Sequence, residues 1–437
     1  MWPYFPELLA TPVPRYTSYP TAAEFGAQVG PDDFVRALQG VAGDVSLYVH
    51  IPFCEKICWY CGCNTSTANR RKRVETYLDA LFQEVALVGA RLPPWARVRR
   101  ISFGGGSPNA IAPIDFIRLL DALTVHFRLA DPVLSIELDP RTLSDTWVEV
   151  IAGAGVTHAS LGVQTTNARL QEAIGRVQPA QDIARTVDAL RRAGVSSLNF
   201  DLMYGLPGQT ADDLGETISF AREHGADRIA LFGYAHVPHL IGRQRKIDAT
   251  LLPGQAERFA MAAQGYRTLL DDGYQPVGFD HFALPGDPLA RAAVGGRLHR
   301  NFQGFTDDAA PVLIGLGASA ISSFPELLIQ NEKNPGRYGM ILSQNRFTAS
   351  RGIARNGDDR LRGTIIESLL CQGRTRVDPD FQRQLLARLL PFSDCGLLSF
   401  EGEWLVIAPA GLPYVRSIAA QFDTYRETSP QRFSSAV

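Results

Sequence analysis

Three cysteines carry the first chemical signal. Residues 48–64 read Tyr-Val-His-Ile-Pro-Phe-Cys-Glu-Lys-Ile-Cys-Trp-Tyr-Cys-Gly-Cys-Asn and hold four of the six cysteines in the chain. Cys54, Cys58 and Cys61 form a C-x3-C-x2-C triplet, and Cys63 follows after a single glycine. That spacing brings three thiolates within reach of one small metal centre. Cys63 sits too close to Cys61 in sequence to fold back easily as a fourth ligand. Closed structural zinc sites and electron-transfer clusters have four protein ligands. A cluster on three thiolates leaves one iron open, which is what a catalytic metal requires. On the triplet alone two other chemistries stay open: a zinc knuckle completed by a distant His or Cys, and a redox dithiol made of Cys58 and Cys61.

Further polar and glycine positions fall at regular intervals after the cysteines. Gly104-Gly105-Gly106-Ser107-Pro108 can let a backbone approach a ligand, its polar groups meeting a carboxylate or amine. Glu137 stands in Ser-Ile-Glu-Leu-Asp-Pro, Gln164 in Leu-Gly-Val-Gln, and Asp201 in Asn-Phe-Asp-Leu-Met-Tyr-Gly. A carboxylate such as Asp201 can accept bonds from a ribose or an amine. Each of these residues alone suits a tight turn, salt bridge or surface position equally well. As a series, with Arg176, they outline one pocket.

The elements that must position them alternate. Apolar or alternating runs predict strands at 46–51, 98–103, 134–138, 158–163, 197–203 and 228–234. Helical spacing predicts helices at 74–92, 114–127, 146–152, 180–193 and from a capping box at Thr210-x-x-Asp213 to about 224. Six strands with intervening helices argue for an α/β fold with a parallel sheet, a partial (β/α)6 TIM-like barrel whose functional residues cluster at the C-terminal strand ends. Residues 1–44 form an N-terminal arm, extended over 14–22 and with a short helix at 32–38. The barrel and a substrate-covering extension take 45–350, including a helix at 253–272 and a stretch at 278–322 rich in Gly, His and aromatics. A small, mainly helical domain takes 351–437, with helices at 363–371 and 381–390, a strand at 404–407 and a last helix opened by Pro413.

Composition bounds the class. The chain has 437 residues, 45% hydrophobic and 20% charged, enough for a large globular domain and a smaller one. Formal net charge is −2, which gives no electrostatic reason for nucleic-acid binding. No basic segment followed by an apolar run opens the chain, and no apolar stretch reaches membrane-spanning length. The cysteine pattern is not a disulfide framework, so a reduced, cytoplasmic setting is expected.

With these motifs on the page, C-x3-C-x-aromatic-C resembles the cluster loop of radical S-adenosylmethionine enzymes. Within that superfamily, the segments at 14–22, 48–64, 104–108, 135–140, 234–236, 280–283, 299–304 and 422–425 and the strand around Asp201 resemble the oxygen-independent coproporphyrinogen III oxidases (coproporphyrinogen dehydrogenases). The resemblance runs from about residue 8 to the end. It implies a 4Fe–4S cluster on Cys54, Cys58 and Cys61 and two molecules of S-adenosylmethionine. By position, Tyr48, Gly105, Glu137, Ala235 and Ile321 would surround the molecule on the cluster, and Tyr60, Gly106, Ser107, Gln164, Arg176 and Asp201 the second. It implies radical decarboxylation of two propionates of coproporphyrinogen III to vinyl groups, giving protoporphyrinogen IX, with an unidentified electron donor and acceptor. The substrate carries four carboxylates, and Arg15 and Arg300, each amid aromatics and amides or hydroxyls, are candidates to meet them. Tyr60 stands where Phe is common and Ser107 where Thr is, and both keep the chemistry. The C-terminal domain looks shortened between about 374 and 404. His50 suits either a role near the radical or a hydrogen-bonded structural one, and Cys63 a bystander thiol. The alternatives are a haem-chaperone-like relative, which the arm at 14–22 and the segment at 299–304 argue against, and a non-catalytic haem- or metal-binding protein. A monomer is the default.

Overall fold

A computed structural model describes residues 2–426. Strands β1 (Asp44–Ile51), β2 (Arg97–Gly105), β3 (Leu129–Leu138), β4 (His158–Gln164), β5 (Ser197–Tyr204) and β6 (Arg228–Gly233) lie side by side in chain order, each parallel to the next. Helices α1 (Arg71–Gly89), α2 (Pro113–His126), α3 (Asp145–Ala154), α4 (Ala180–Arg192) and α5 (Ala211–Glu223) connect them, and α6 (Gln255–Asp271) follows β6. All six expected units are present, with ends shifted by a few residues. Parallel strands need such crossovers, and the helices cover the sheet with their apolar faces. In α1 that face is Val74, Tyr77, Leu78, Leu81, Val85 and Val88, all buried.

The sheet extends beyond the six units. A seventh strand, β7 (Val312–Leu316), pairs in parallel with β1 on the side away from β2. Antiparallel strands Ile321–Phe324, Leu327–Asn331 and Ala349–Ala354 continue from β7, and His281–Ala283 and Gln275–Val277 extend the other end beyond β6. The twelve strands form one open sheet with two edges, so the barrel is partial. Sequence reading left 312–316 unassigned because every residue of Val-Leu-Ile-Gly-Leu is buried. A five-residue apolar run without alternation carries no strand period.

The C-terminal segment holds α7 (Gly357–Gln372) and α8 (Pro379–Asp394). It also holds a three-stranded antiparallel sheet, with Trp404–Ile407 between Arg374–Arg376 and Leu398–Glu401. Two of these strands were missed: one is three residues long and the other follows a turn. In place of one last helix, the chain forms a 3-10 turn at Pro409–Tyr414, a short helix at Val415–Ala419 and another 3-10 turn at Ala420–Phe422. The expected boundary at 350/351 lies inside the strand Ala349–Ala354.

Two features hold the active end in place. The N-terminal arm is pinned to the C-terminal segment: Tyr16 donates its hydroxyl hydrogen to Asp423 at 2.9 Å, and Tyr19 accepts from the Thr424 backbone at 3.2 Å. The second is Glu84 of α1, only 2% exposed. It accepts from the Gly317 backbone (2.5 Å), Tyr338 (2.7 Å), Asn331 (2.8 Å) and Thr348 (3.1 Å). Every one of those donors lies after β7, so a single carboxylate fastens α1 to the end of the sheet. From the same helix Tyr77 donates to the His50 carbonyl at 2.7 Å. This fixes the end of β1 just before the cysteines.

Candidate active site

Most of the expected residues meet at the C-terminal ends of the strands. One cleft of about 510 Å³ is lined by Cys54, Cys58, Cys61, Gly105, Glu137 and Arg176, among others. Tyr60, Gly106, Ser107, Gln164, Asp201, Ala235, Cys63 and Arg15 share its wall. Tyr48, Ile321 and Arg300 do not line it. Tyr48 lies on β1 opposite Gly315 of β7, where an added Cβ would come within 2.5 Å of the Ile321 carbonyl, so these two form a neighbouring group. Arg300 faces a separate cavity with Tyr16, Arg355 and Glu367.

The cysteine loop is fastened from two sides. Trp59 donates its backbone N–H to Ile174 at 3.0 Å, and its ring fills the space over Gly175. Gln244, 1% exposed, donates to the Tyr60 carbonyl (2.9 Å) and the Ala235 carbonyl (3.0 Å). One buried amide thus joins the loop to the segment after β6. Sequence reading missed Gln244, which lies in a 3-10 turn without a motif.

Guanidinium groups converge on the Cys58 sulfur. Arg176 Nη1 approaches it at 3.2 Å and Arg141 Nη2 at 3.6 Å. Arg176 is positioned by the Gly162 carbonyl, to which it donates at 2.6 and 3.0 Å. Asp139 pairs with Arg141 at 2.6 Å and with Arg176 at 3.4 Å. The side chains of all three are under a tenth exposed. Asp139 and Arg141 were not singled out from sequence. Their one signal was adjacency to Glu137 in Glu-Leu-Asp-Pro-Arg. Cys61 accepts from the Cys63 backbone N–H at 3.4 Å, and hydrogen bonding to Cys63 holds its thiol down to about 6. Burial pushes the Cys54 thiol up to about 11.

This donor set fits an iron–sulfur cluster. Three free thiols share one wall, cations face one of the sulfurs, and thiolate is the ligand form. Among the described residues no three His, Cys, Asp or Glu side chains converge tightly enough for a single-ion site.

The glycine loop is shaped by its neighbours. Gly105 has φ +106°, and a Cβ there would lie 2.3 Å from the His50 ring; at Gly104 it would lie 2.6 Å from Glu137. The glycines therefore let the loop lie flat against protein groups on its inner side while its outer side faces the cleft. Glu137 accepts from the Gly105 N–H at 3.2 Å, and burial, with the charge of Asp201 second, pushes it up to about 7. Asp201 is also raised by burial and accepts from Asn199 (2.8 Å) and Ser160 (3.2 Å). Gln164 has φ +66° beside a register shift at the end of β4, a backbone kink that redirects its side chain.

His50 is a hydrogen-bonded strut. Its Nε2 faces the Asn64 carbonyl at 3.4 Å, which can only accept, so Nε2 carries the hydrogen and Nδ1 accepts from Tyr48 at 3.0 Å. Burial lowers it to about 4, so it is neutral at physiological pH.

Comparisons with known proteins agree with this geometry. Residues 48–221 match the radical SAM superfamily model. The oxygen-independent coproporphyrinogen III oxidase of Bradyrhizobium diazoefficiens is 38% identical over 97% of both chains. That of Escherichia coli is 36% identical over 97% of this chain and 96% of its own. The chain belongs to the oxygen-independent coproporphyrinogen III oxidase family. The solved coproporphyrinogen III oxidase from Escherichia coli, described as a radical SAM enzyme, superposes with a TM-score of 0.91 at 34% identity, covering 97% of this chain and 99% of that one. The partial barrel and C-terminal segment are thus the family's architecture. Among the described residues, no helix is long and apolar enough to cross a membrane.

Proposed function

We infer that this protein converts coproporphyrinogen III to protoporphyrinogen IX by oxidative decarboxylation of two propionate side chains. One observation carries the reading. In a chain related to these oxidases over nearly its whole length, the three thiols, the glycine loop and the paired carboxylates share one cleft. When bound, a 4Fe–4S cluster with S-adenosylmethionine supplies one-electron chemistry able to remove a hydrogen atom from an unactivated carbon. Cys54, Cys58 and Cys61 are the residues that would hold that cluster. Arg176 and Arg141 offset negative charge at the Cys58 sulfur.

The remaining residues bind and orient. Glu137, Gly105 and Ala235 line the cleft beside the thiols, with Tyr48 and Ile321 adjacent, and are proposed to hold the S-adenosylmethionine on the cluster. Tyr60, Gly106, Ser107, Gln164, Arg176 and Asp201 are proposed for the second molecule. Asp201 and Glu137 are acceptors matched to hydroxyl and ammonium groups. Arg15 lies at the cleft, over the Phe232 ring at 5.3 Å, where a carboxylate of the substrate can reach it. Arg300 donates to the Arg15 carbonyl at 3.2 Å and stacks on Phe305 at 4.3 Å, so it supports that segment from the adjacent cavity. Its Nε and Nη1 are buried without partners, which suits an anionic ligand there.

Each reacting propionate loses a hydrogen atom, CO2 and one electron to become a vinyl group. A separate donor must deliver electrons to start the reaction, and a separate acceptor must take the electron left behind. Free cysteines in an open loop call for a reducing compartment such as the cytoplasm.

The test is anaerobic reconstitution with iron and sulfide, followed by S-adenosylmethionine, a reductant and coproporphyrinogen III. Deoxyadenosine formation with loss of two CO2 units, followed by mass spectrometry, is expected. Cofactor cleavage with intact substrate would keep the radical chemistry and remove the oxidase reading. Haem binding with no cleavage would favour a haem carrier.

A further inference from the structure

A second, smaller pocket adjoins the cleft. It holds about 70 Å³, room for roughly five waters. Its wall combines the arm (Trp2, Arg15), the end of β6 (Phe232), α6 (Arg258) and the C-terminal segment (Arg416). Arg15, Phe232, Gly233 and Ala235 line both this pocket and the main cleft, so the two are continuous.

The pocket sets three guanidinium groups, Arg15, Arg258 and Arg416, against one carboxylate, Asp280. Arg258 Nε is buried with no hydrogen-bond partner. The ionisable groups that act on Arg258 are Arg15 and the hydroxyls of Tyr204 and Tyr234, with no carboxylate among them. Arg416 is held down to about 10 by burial, then by Arg15. Asp280, the one acid on the wall, pairs with His281 at 2.7 Å and its charge also reaches Arg15 and Arg416, but not Arg258. Guanidinium groups that face one another in a part-buried pocket repel unless an anion joins them.

We propose that this pocket binds the carboxylate of a propionate that the reaction spares, with Arg258 and Arg15 as its principal partners. The inference rests on the oxidase reading. The pocket's size admits a side chain and excludes a tetrapyrrole ring. Its continuity with the cleft lets one substrate molecule place a propionate here and another beside the thiols. A spared propionate fits better than a reacting one. A carboxylate leaving as neutral CO2 loses its ion pair in the transition state, so a tight guanidinium contact would hold the reaction back. Arg258 is thus a positioning residue for substrate orientation.

The test measures binding of three porphyrins to the reconstituted enzyme by fluorescence titration, comparing wild type with Arg258→Gln and Arg258→Lys. Coproporphyrin III carries all four propionates, protoporphyrin IX only the spared two, and coproporphyrin III tetramethyl ester no carboxylate. Arg258→Gln is expected to weaken coproporphyrin III and protoporphyrin IX alike, by about tenfold or more, and to leave the ester unchanged. Arg258→Lys should recover part of the loss. A loss confined to coproporphyrin III would overturn the spared-propionate assignment, and no loss for either acid would overturn the pocket. An equal loss for the ester would mean that the fold, and not a carboxylate contact, had changed, and would overturn it as well. Wild-type enzyme that bound none of the three would overturn the oxidase reading itself, and the pocket with it.

Discussion

His50 gives a pH-dependent stability that can be worked from the structure. The ring is 7% exposed and its Nδ1 accepts from Tyr48, so protonation would break that bond and bury a charge. Burial lowers it from 6.5 to about 4. The unfolded chain therefore binds a proton at His50 more readily than the folded chain does. The stabilisation is fully present above the unfolded value near 6.5, declines as pH falls, and is fully lost below about 4. Between about pH 7.5 and about pH 5 the loss from this residue alone is about 2 kcal/mol. Half-buried His158, also lowered to about 4, and the raised acids change stability over the same range, so the quantity to measure is a difference. Urea unfolding of cluster-free wild type and His50→Gln, under reducing conditions at both pH values, isolates it. The wild type's advantage over the variant should shrink by about 2 kcal/mol on acidification, because glutamine does not titrate. An advantage that stays constant or grows would refute the neutral-strut assignment. A histidine NMR titration showing an ordinary midpoint for this ring would refute it as well.

Other outcomes follow from the same geometry. Cys61→Ser should lose iron and sulfide after reconstitution, whereas Cys63→Ser should retain both, read by iron analysis and absorbance. Gly105→Ala should destabilise the protein by about 2–3 kcal/mol, since φ is +106° and the new methyl would strike the His50 ring; denaturant midpoints report it. Arg176→Gln removes donors to Gly162 and Cys58 and part of the Asp139 pairing. It should lower S-adenosylmethionine affinity in equilibrium binding, with Arg176→Lys recovering only part. Glu84→Gln sets an NH2 group against donors on one side of the carboxylate and should cost about 2 kcal/mol in urea unfolding.

Much of this was legible because the barrel repeats a simple code. Buried parallel strands and amphipathic helices leave strong periods, so the six units could be read with their ends off by a few residues. The cysteine spacing and the motif at each strand end are local, and local features survive in sequence. β7 was not legible, since a short run buried on both faces lacks alternation. Of the small C-terminal sheet only Trp404–Ile407 was legible; its partners Arg374–Arg376 and Leu398–Glu401 are too short to carry a pattern of their own.

The site divides along the same line. Sequence by itself determined the ligand types, the order of the pocket residues along the strands, and the family resemblance that gave them a chemistry. Tertiary structure decided which groups meet across long separations. It brought Arg141 and Arg176 to the Cys58 sulfur, clamped the cysteine loop with Gln244, and made His50 a neutral strut under Gly105. It also gathered Arg15 from the arm, Arg258 from α6 and Arg416 from the C-terminal segment around one small pocket. Those residues share no motif, spacing or period. Their proximity follows from how the arm and the C-terminal segment pack over the end of the barrel, and packing over such separations is set by whole-fold burial and not by any local stretch.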